Sequence, residues 1–231
     1  MGLYTGLQKL QEIADQATES GDRKKVNWFK IGDKESARIK FLQEFDPDSP
    51  GYSDEWGLCG VLMEHQSPVD FKRKALCTTE EEGQCLGCEQ YAAGVSAFKP
   101  KLRFYANILV LPDRGEPEIK IISQGIGKGS IYPTLLGFYN DNGPITPHTF
   151  RITRAGAQFN NTSYTLNVNL KPFDVDLSKV DKDEVLDIYE EVGLHIPYER
   201  QRNFFLLDQE PAVDESDGSL TAAPFNEDEW V

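Results

Sequence analysis

No stretch of this chain is apolar for the roughly 18–20 residues a bilayer-spanning helix needs. Residues 1–20 place acids and polar groups where a secretory signal would carry its apolar core, which points to a chain that stays inside the cell. There is no GxxxxGKS/T loop, no HExxH and no nucleophile elbow. The Gly-rich run QGIGKGS at 124–130 lacks P-loop spacing and reads as a helix-entry turn. Carboxylates are plentiful but fall in no catalytic pattern, so the expectation is that this is not an enzyme. Cysteine and histidine are scarce, 4 and 3 in 231 residues. The stretch 208–231 contains no Lys or Arg.

That last gap reorganises the charge. The net charge of -14 argues at first against a nucleic-acid partner. Residues 1–173, however, carry 20 basic and 21 acidic side chains, and 17 of the 38 acids lie after residue 173. The body is close to neutral and the excess is C-terminal. From Asp208 the composition turns to Asp, Glu, Ser, Ala, Gly and Pro, as in disordered segments.

Along the body, Leu3, Leu7, Leu10, Ala14 and Ala17 follow a helical period, which predicts an N-terminal helix or arm over 1–22. Ala37, Ile39 and Phe41 alternate with Arg38 and Lys40, a half-buried strand. Trp56–Met63, Leu102–Leu111, Pro117–Ser123, Phe150–Arg154 and Ser163–Leu170 read as further strands. A short helix runs through Leu135, Leu136 and Phe138, and another is expected over 181–192. On alternation, Phe41, Leu102 and Phe104 should point inward and Arg103 and Tyr105 outward. Short strands with variable loops and no βαβ rhythm predict a mainly β fold, an OB-fold-like small barrel over 23–207 with peripheral helices.

The section 64–91 lacks regular periodicity but holds His65, Cys77 and the knuckle Cys85-Leu86-Gly87-Cys88. One imidazole and three thiolates make a complete tetrahedral shell for one structural Zn2+, with no position left for an activated water. Cys59 is an alternative fourth ligand to His65; otherwise it is a small buried residue on its strand. A thioredoxin-like redox pair would need a strand entering a helix, whereas this knuckle follows EEEGQ. Between ligands sits FKRK, 71–74, three consecutive cations on a metal-pinned loop.

Cations and rings are interleaved elsewhere too. Single strands are held by a positive groove along the phosphates and by rings stacked on bases, each worth about 1–3 kcal/mol. Lys30, Lys72, Arg73, Lys74, Lys101, Arg103, Tyr105, Lys128, Arg151 and Arg154 are the residues such a groove would use. The zinc ligand order and the phrases NWFKIGDKESARIKFL, EHQSPVDFKRKALC, CLGC, KLRFYANILV and GKGSIYPTLLGFY resemble the zinc-containing helix-destabilising single-stranded DNA-binding proteins of tailed bacteriophages, the T-even type. The likeness covers roughly residues 24–170.

The resemblance implies an OB-fold with an inserted zinc subdomain that coats single-stranded DNA in phage replication, recombination and repair. The setting it implies is the cytoplasm of an infected bacterial host, with weak self-association on DNA. Its acidic tail would recruit a polymerase, helicase or recombinase, here through Phe225, Glu227, Asp228, Glu229 and Trp230. The basic N-terminal arm of the T-even protein is only hinted at by Arg23, Lys24 and Lys25. The rival reading of the same residues is a zinc-containing protein-interaction module of a replication or transcription complex that does not touch DNA.

Overall fold

A computed structural model describes residues 25–158, 161–169, 175, 177 and 180–207. The expected N-terminal arm and the acidic tail, including Phe225, Glu227, Asp228, Glu229 and Trp230, lie outside the described residues.

Seven strands form one antiparallel sheet: β1 Ser36–Phe41, β2 Gly60–Gln66, β3 Lys74–Leu76, β4 Lys101–Leu111, β5 Glu118–Gly125, β6 Thr149–Ala155 and β7 Ser163–Val168. Helices α1 Thr79–Glu82, α2 Leu86–Ala92, α3 Tyr132–Asn142 and α4 Tyr198–Leu206 pack around it. The long strand β4 is the hub. Arg103 to Tyr105 pair with β2 and β5 at once, and Ile108 to Val110 pair with β1 and β5 at once. Strands β1 and β2 therefore share one edge of β4, and β5 lines the other.

The sheet runs β3-β2-β4-β1-β6-β7, with β5 branching from β4. Among the described residues no ladder joins β7 to β5 or β3, so the sheet is open. This corrects the expected mainly β, OB-fold-like barrel: the fold is mixed α/β around an open seven-stranded sheet. The physical reason lies at the sheet's edges. Strand β5 turns its outer edge to residues 27–29, through Phe29 N–H to Ile121 O and Ile121 N–H to Asn27 O at 2.8 Å each. Strand β3 is met by Leu194, whose carbonyl accepts from Leu76 N at 2.9 Å. Those edges are satisfied locally and do not depend on barrel closure.

Both faces of β4 are covered, which explains why residues 104–109 are buried without alternation. Even positions Phe104, Ala106 and Ile108 enter the main core with Ile39, Phe41, Phe150 and Ile152, under Leu135 of α3. Odd positions face a C-terminal strap, residues 180–207. Tyr105 packs with Ile121, Leu186 and Ile188, and Leu109 and Leu111 with Val180 and Val185. Phe41 and Phe104 thus point inward as expected, but Tyr105 is buried and Leu102 is exposed. The strap buries the first; the second lies beyond the end of the main cluster.

The strap is not the single helix expected over 181–192. A 3-10 turn at Lys182–Glu184 and one π-helical turn at Ile188–Val192 flank an extended stretch. Asn107, fully buried in mid-β4, requires that extension. Its Nδ2 donates to Leu186 O at 2.7 Å and its Oδ1 accepts from Leu186 N at 3.1 Å. The side chain stands in for a neighbouring strand, and a helix through Leu186 would forfeit both bonds. True helix within the strap begins only at Tyr198 and runs to Leu206 as α4.

Candidate metal centre

Strand β2 carries His65, the end of β3 leads to Cys77, and Cys85 and Cys88 open α2. The ligand atoms of these four residues all lie within 4.8 Å of one another. Cys77 Sγ is 3.5 Å from Cys88 Sγ, and Cys88 Sγ is 3.4 Å from His65 Nε2. A metal with bonds of about 2.3 Å to sulfur needs ligand separations of about 3.8 Å, so the set is nearly preassembled. The chain has a His/Cys cluster capable of coordinating a metal ion.

One contact orients the imidazole. His65 Nδ1 lies 2.8 Å from Phe98 O. Donation of the Nδ1 proton to that carbonyl fixes the ring with Nε2 aimed at the thiols, the usual outer support of a metal-bound histidine. The Gly87 of the knuckle serves this geometry by absence of bulk. A Cβ on Gly87 would sit 2.2 Å from His65 Cγ and 2.5 Å from Nδ1. Gly87→Ala is therefore expected to displace the ring and weaken metal binding at least tenfold while leaving the main sheet intact. Competition against a chromophoric chelator would measure the first, and far-UV circular dichroism the second.

Cys59 is not part of this cluster. It lies in the main core at 4% exposure. Burial, with Glu44 nearby, pushes its thiol far above the ordinary range. The structure thus places His65, and not Cys59, beside Cys77, Cys85 and Cys88.

The four side chains hold their protons unevenly. Burial favours neutral His65, yet its hydrogen bonds to Cys85, Phe98 O and Cys77 prevail and raise it to about 9. Burial likewise opposes a Cys85 thiolate, but His65 and the amides of Cys88 and Thr78 lower it to about 6. Cys88 is pushed up to about 11, first by burial, with Cys77 and Cys85 adding to it. Between about pH 6 and 9, metal must displace protons from both His65 and Cys88. Affinity should then climb about a hundredfold per pH unit from those two groups alone. Chelator competition at pH 6.5 and 7.5 tests this, and equal affinities would contradict the protonation of both His65 and Cys88 in this range.

The metal loop is closed by α4. Phe98 and Phe205 stack edge to face at 5.6 Å beside Ala75 and Leu86. Gln201 is fully buried there. Its Oε1 accepts from Leu86 N at 2.8 Å, and its Nε2 donates to Thr78 Oγ1 and Ile196 O at 2.9 Å each. It thereby satisfies an orphan amide in the first turn of α2. Sequence reading missed Phe98, Gln201 and Asn107. The available signals were an Asn amid the apolar run of β4 and a Gln four residues before Phe205 on one helical face.

The residues expected to form a DNA groove are used differently. Arg73 Nη1 donates to Phe204 O at 3.2 Å, and its guanidinium lies over the Phe204 ring, 5.7 Å from the centroid. The FKRK loop thus clasps α4. Lys72 is exposed beside it. Lys74, Lys101, Arg103 and Tyr105 share one face around the buried carboxylate of Glu64. Tyr105 OH donates to Glu64 Oε1. Lys101 reaches Gln66 Oε1 at 2.6 Å, and Arg103 reaches Ser123 Oγ at 2.8 Å. Arg154 donates to Ile31 O at 3.0 Å. Lys30, Lys128 and Arg151 are exposed.

Tyr105, at 5% exposure, has no open ring face for a base. With an open sheet in place of the barrel, a buried ring and several cations holding internal acceptors, the expectation of a single-stranded DNA-coating OB-fold is corrected. What the fold and site define is a mixed α/β domain with a Cys3His cluster capable of coordinating a metal ion. Comparison with protein-family models, with curated proteins and with solved structures returns no match to this chain.

Proposed function

We propose that the chain is a zinc-containing interaction module of a replication or transcription complex, which works through protein contacts and not through direct DNA binding. The observation that carries this reading is the convergence of His65, Cys77, Cys85 and Cys88 within 4.8 Å. Three sulfurs and an imidazole suit Zn2+ over the hard, oxygen-seeking cations. Four protein donors fill a tetrahedral shell, so the metal's contribution is to hold β2, β3 and α2 together and not to activate water. No catalytic role is assigned to it. The acidic sequence after Leu207 supplies the contact to basic surfaces of partner proteins, such as a polymerase, helicase or recombinase, with Phe225 and Trp230 as its aromatic anchors.

The test is a titration of the full chain and of residues 1–207 against fluorescent oligo-dT at two salt concentrations, beside metal analysis of the same samples. The expected result is one zinc per chain and no measurable DNA binding by residues 1–207. Binding that weakens as salt rises would overturn the reading.

A further inference from the structure

The four ligands are not equally sheltered. His65 and Cys85 are 0% and 2% exposed. Cys85 is backed by the amides of Thr78 and Cys88 and lies next to Leu86, which Gln201 holds. Cys77 and Cys88 are only half-buried and share the outer edge of the cluster. There Thr79 Oγ1 stands 3.3 Å from Cys77 Sγ and 3.4 Å from Cys88 Sγ. The two sulfurs are 3.5 Å apart, close enough that small movements bring them to bonding distance. They come from different elements, the turn after β3 and the first turn of α2, so joining them leaves the buried half of the site in place.

We propose that Cys77 and Cys88 form a peroxide-sensitive dithiol, and that its oxidation to a disulfide expels the metal. The proposal rests on the zinc reading above. One thiolate attacks a peroxide oxygen; the O–O bond breaks, leaving a sulfenic acid and hydroxide. The second thiolate attacks the sulfenic sulfur; the S–S bond forms as the S–O bond breaks, and a second hydroxide leaves. Two thiolates lose two electrons in all, and one hydrogen peroxide is reduced to two hydroxide ions. His65 and Cys85 remain as only two donors, too few to retain Zn2+, which departs as the aqua ion.

A CxxC pair is the obvious competitor, since Cys85 and Cys88 are the closest in sequence. Burial decides against it. Peroxide reaches the half-buried Cys77–Cys88 edge directly, whereas Cys85 is 2% exposed.

The experiment uses full-length zinc-loaded protein titrated with hydrogen peroxide in the presence of a metallochromic dye. Alkylation under denaturing conditions and peptide mass spectrometry then locate the thiols. The expected result is loss of the single equivalent of zinc in step with one Cys77–Cys88 disulfide. Cys59 and Cys85 should be recovered as alkylated thiols, and a dithiol reductant with added zinc should restore the metal. A disulfide that includes Cys85, or zinc kept with all four thiols free, would overturn the proposal. So would sulfinic acid formed without any disulfide. Untreated protein that carries no zinc would instead strike down the metal reading, and this proposal with it.

Discussion

Cys85→Ser protein will leave dialysis with almost no zinc, whereas Cys59→Ser protein will keep its full equivalent. The difference follows from position. Cys85 lies in the four-donor cluster, while Cys59 packs in the main core. A serine hydroxyl does not surrender its proton to zinc at neutral pH, so three donors remain. Binding of structural zinc in small peptides is worth about 10–16 kcal/mol in apparent terms, but only part of that should appear here as lost stability. The core of β1, β4, β6 and α3 is a separate apolar cluster that needs no metal. Loss should concentrate at residues 64–98 and in α4, where amide exchange will quicken while Ile39, Ile108 and Ile152 stay protected. Metal content unchanged in Cys85→Ser would mean the cluster is not the metal site.

The second large effect is expected at Asn107. Asn107→Ala removes both side-chain bonds to Leu186 and leaves that residue's N–H and C=O buried without partners. Each orphaned group costs about 1–3 kcal/mol, so the variant should lose about 2–6 kcal/mol. That is a large share of the roughly 5–15 kcal/mol that stabilises an ordinary domain. Urea denaturation should show the fall in midpoint. Asn107→Asp is the informative companion: it keeps an acceptor for Leu186 N but offers no donor to Leu186 O. A loss of less than 0.5 kcal/mol in both variants, about the level of an ordinary surface change, would show that the strap is held by its apolar contacts alone.

The metal cluster was readable because its chemistry is carried by rare residues. Three cysteines and a histidine within 24 positions leave few ways to be arranged, and the knuckle marks the geometry locally. Most strands were readable for a similar reason, since Ile39 and Phe41 alternate with cations on a sheet half covered. The reading failed where one element covers another from far along the chain. Tyr105 alternates as an outward residue should, and only the strap, some eighty residues later, reverses its environment. Closure of the sheet was likewise invisible, because a strand's sequence does not say whether its second edge meets another strand, a short segment such as 27–29, or one carbonyl from Leu194. The basic residues misled because a cation bonded to an internal acceptor and one waiting for a phosphate look alike in sequence.

The strap also orders events in time. All four ligands and the Phe98 carbonyl are made before α4, which begins about a hundred residues later, or about 5–20 s at ordinary rates of synthesis. During that interval the nascent site has no lid, and zinc can enter from solvent. Arrival of Gln201 and Phe205 then covers the Leu86 and Phe98 side of the site and leaves the Cys77–Cys88 edge as the way in. Metal acquired early would thereafter exchange only by way of the Cys77–Cys88 edge, so the age of a molecule, as well as its affinity, would govern which ion it holds.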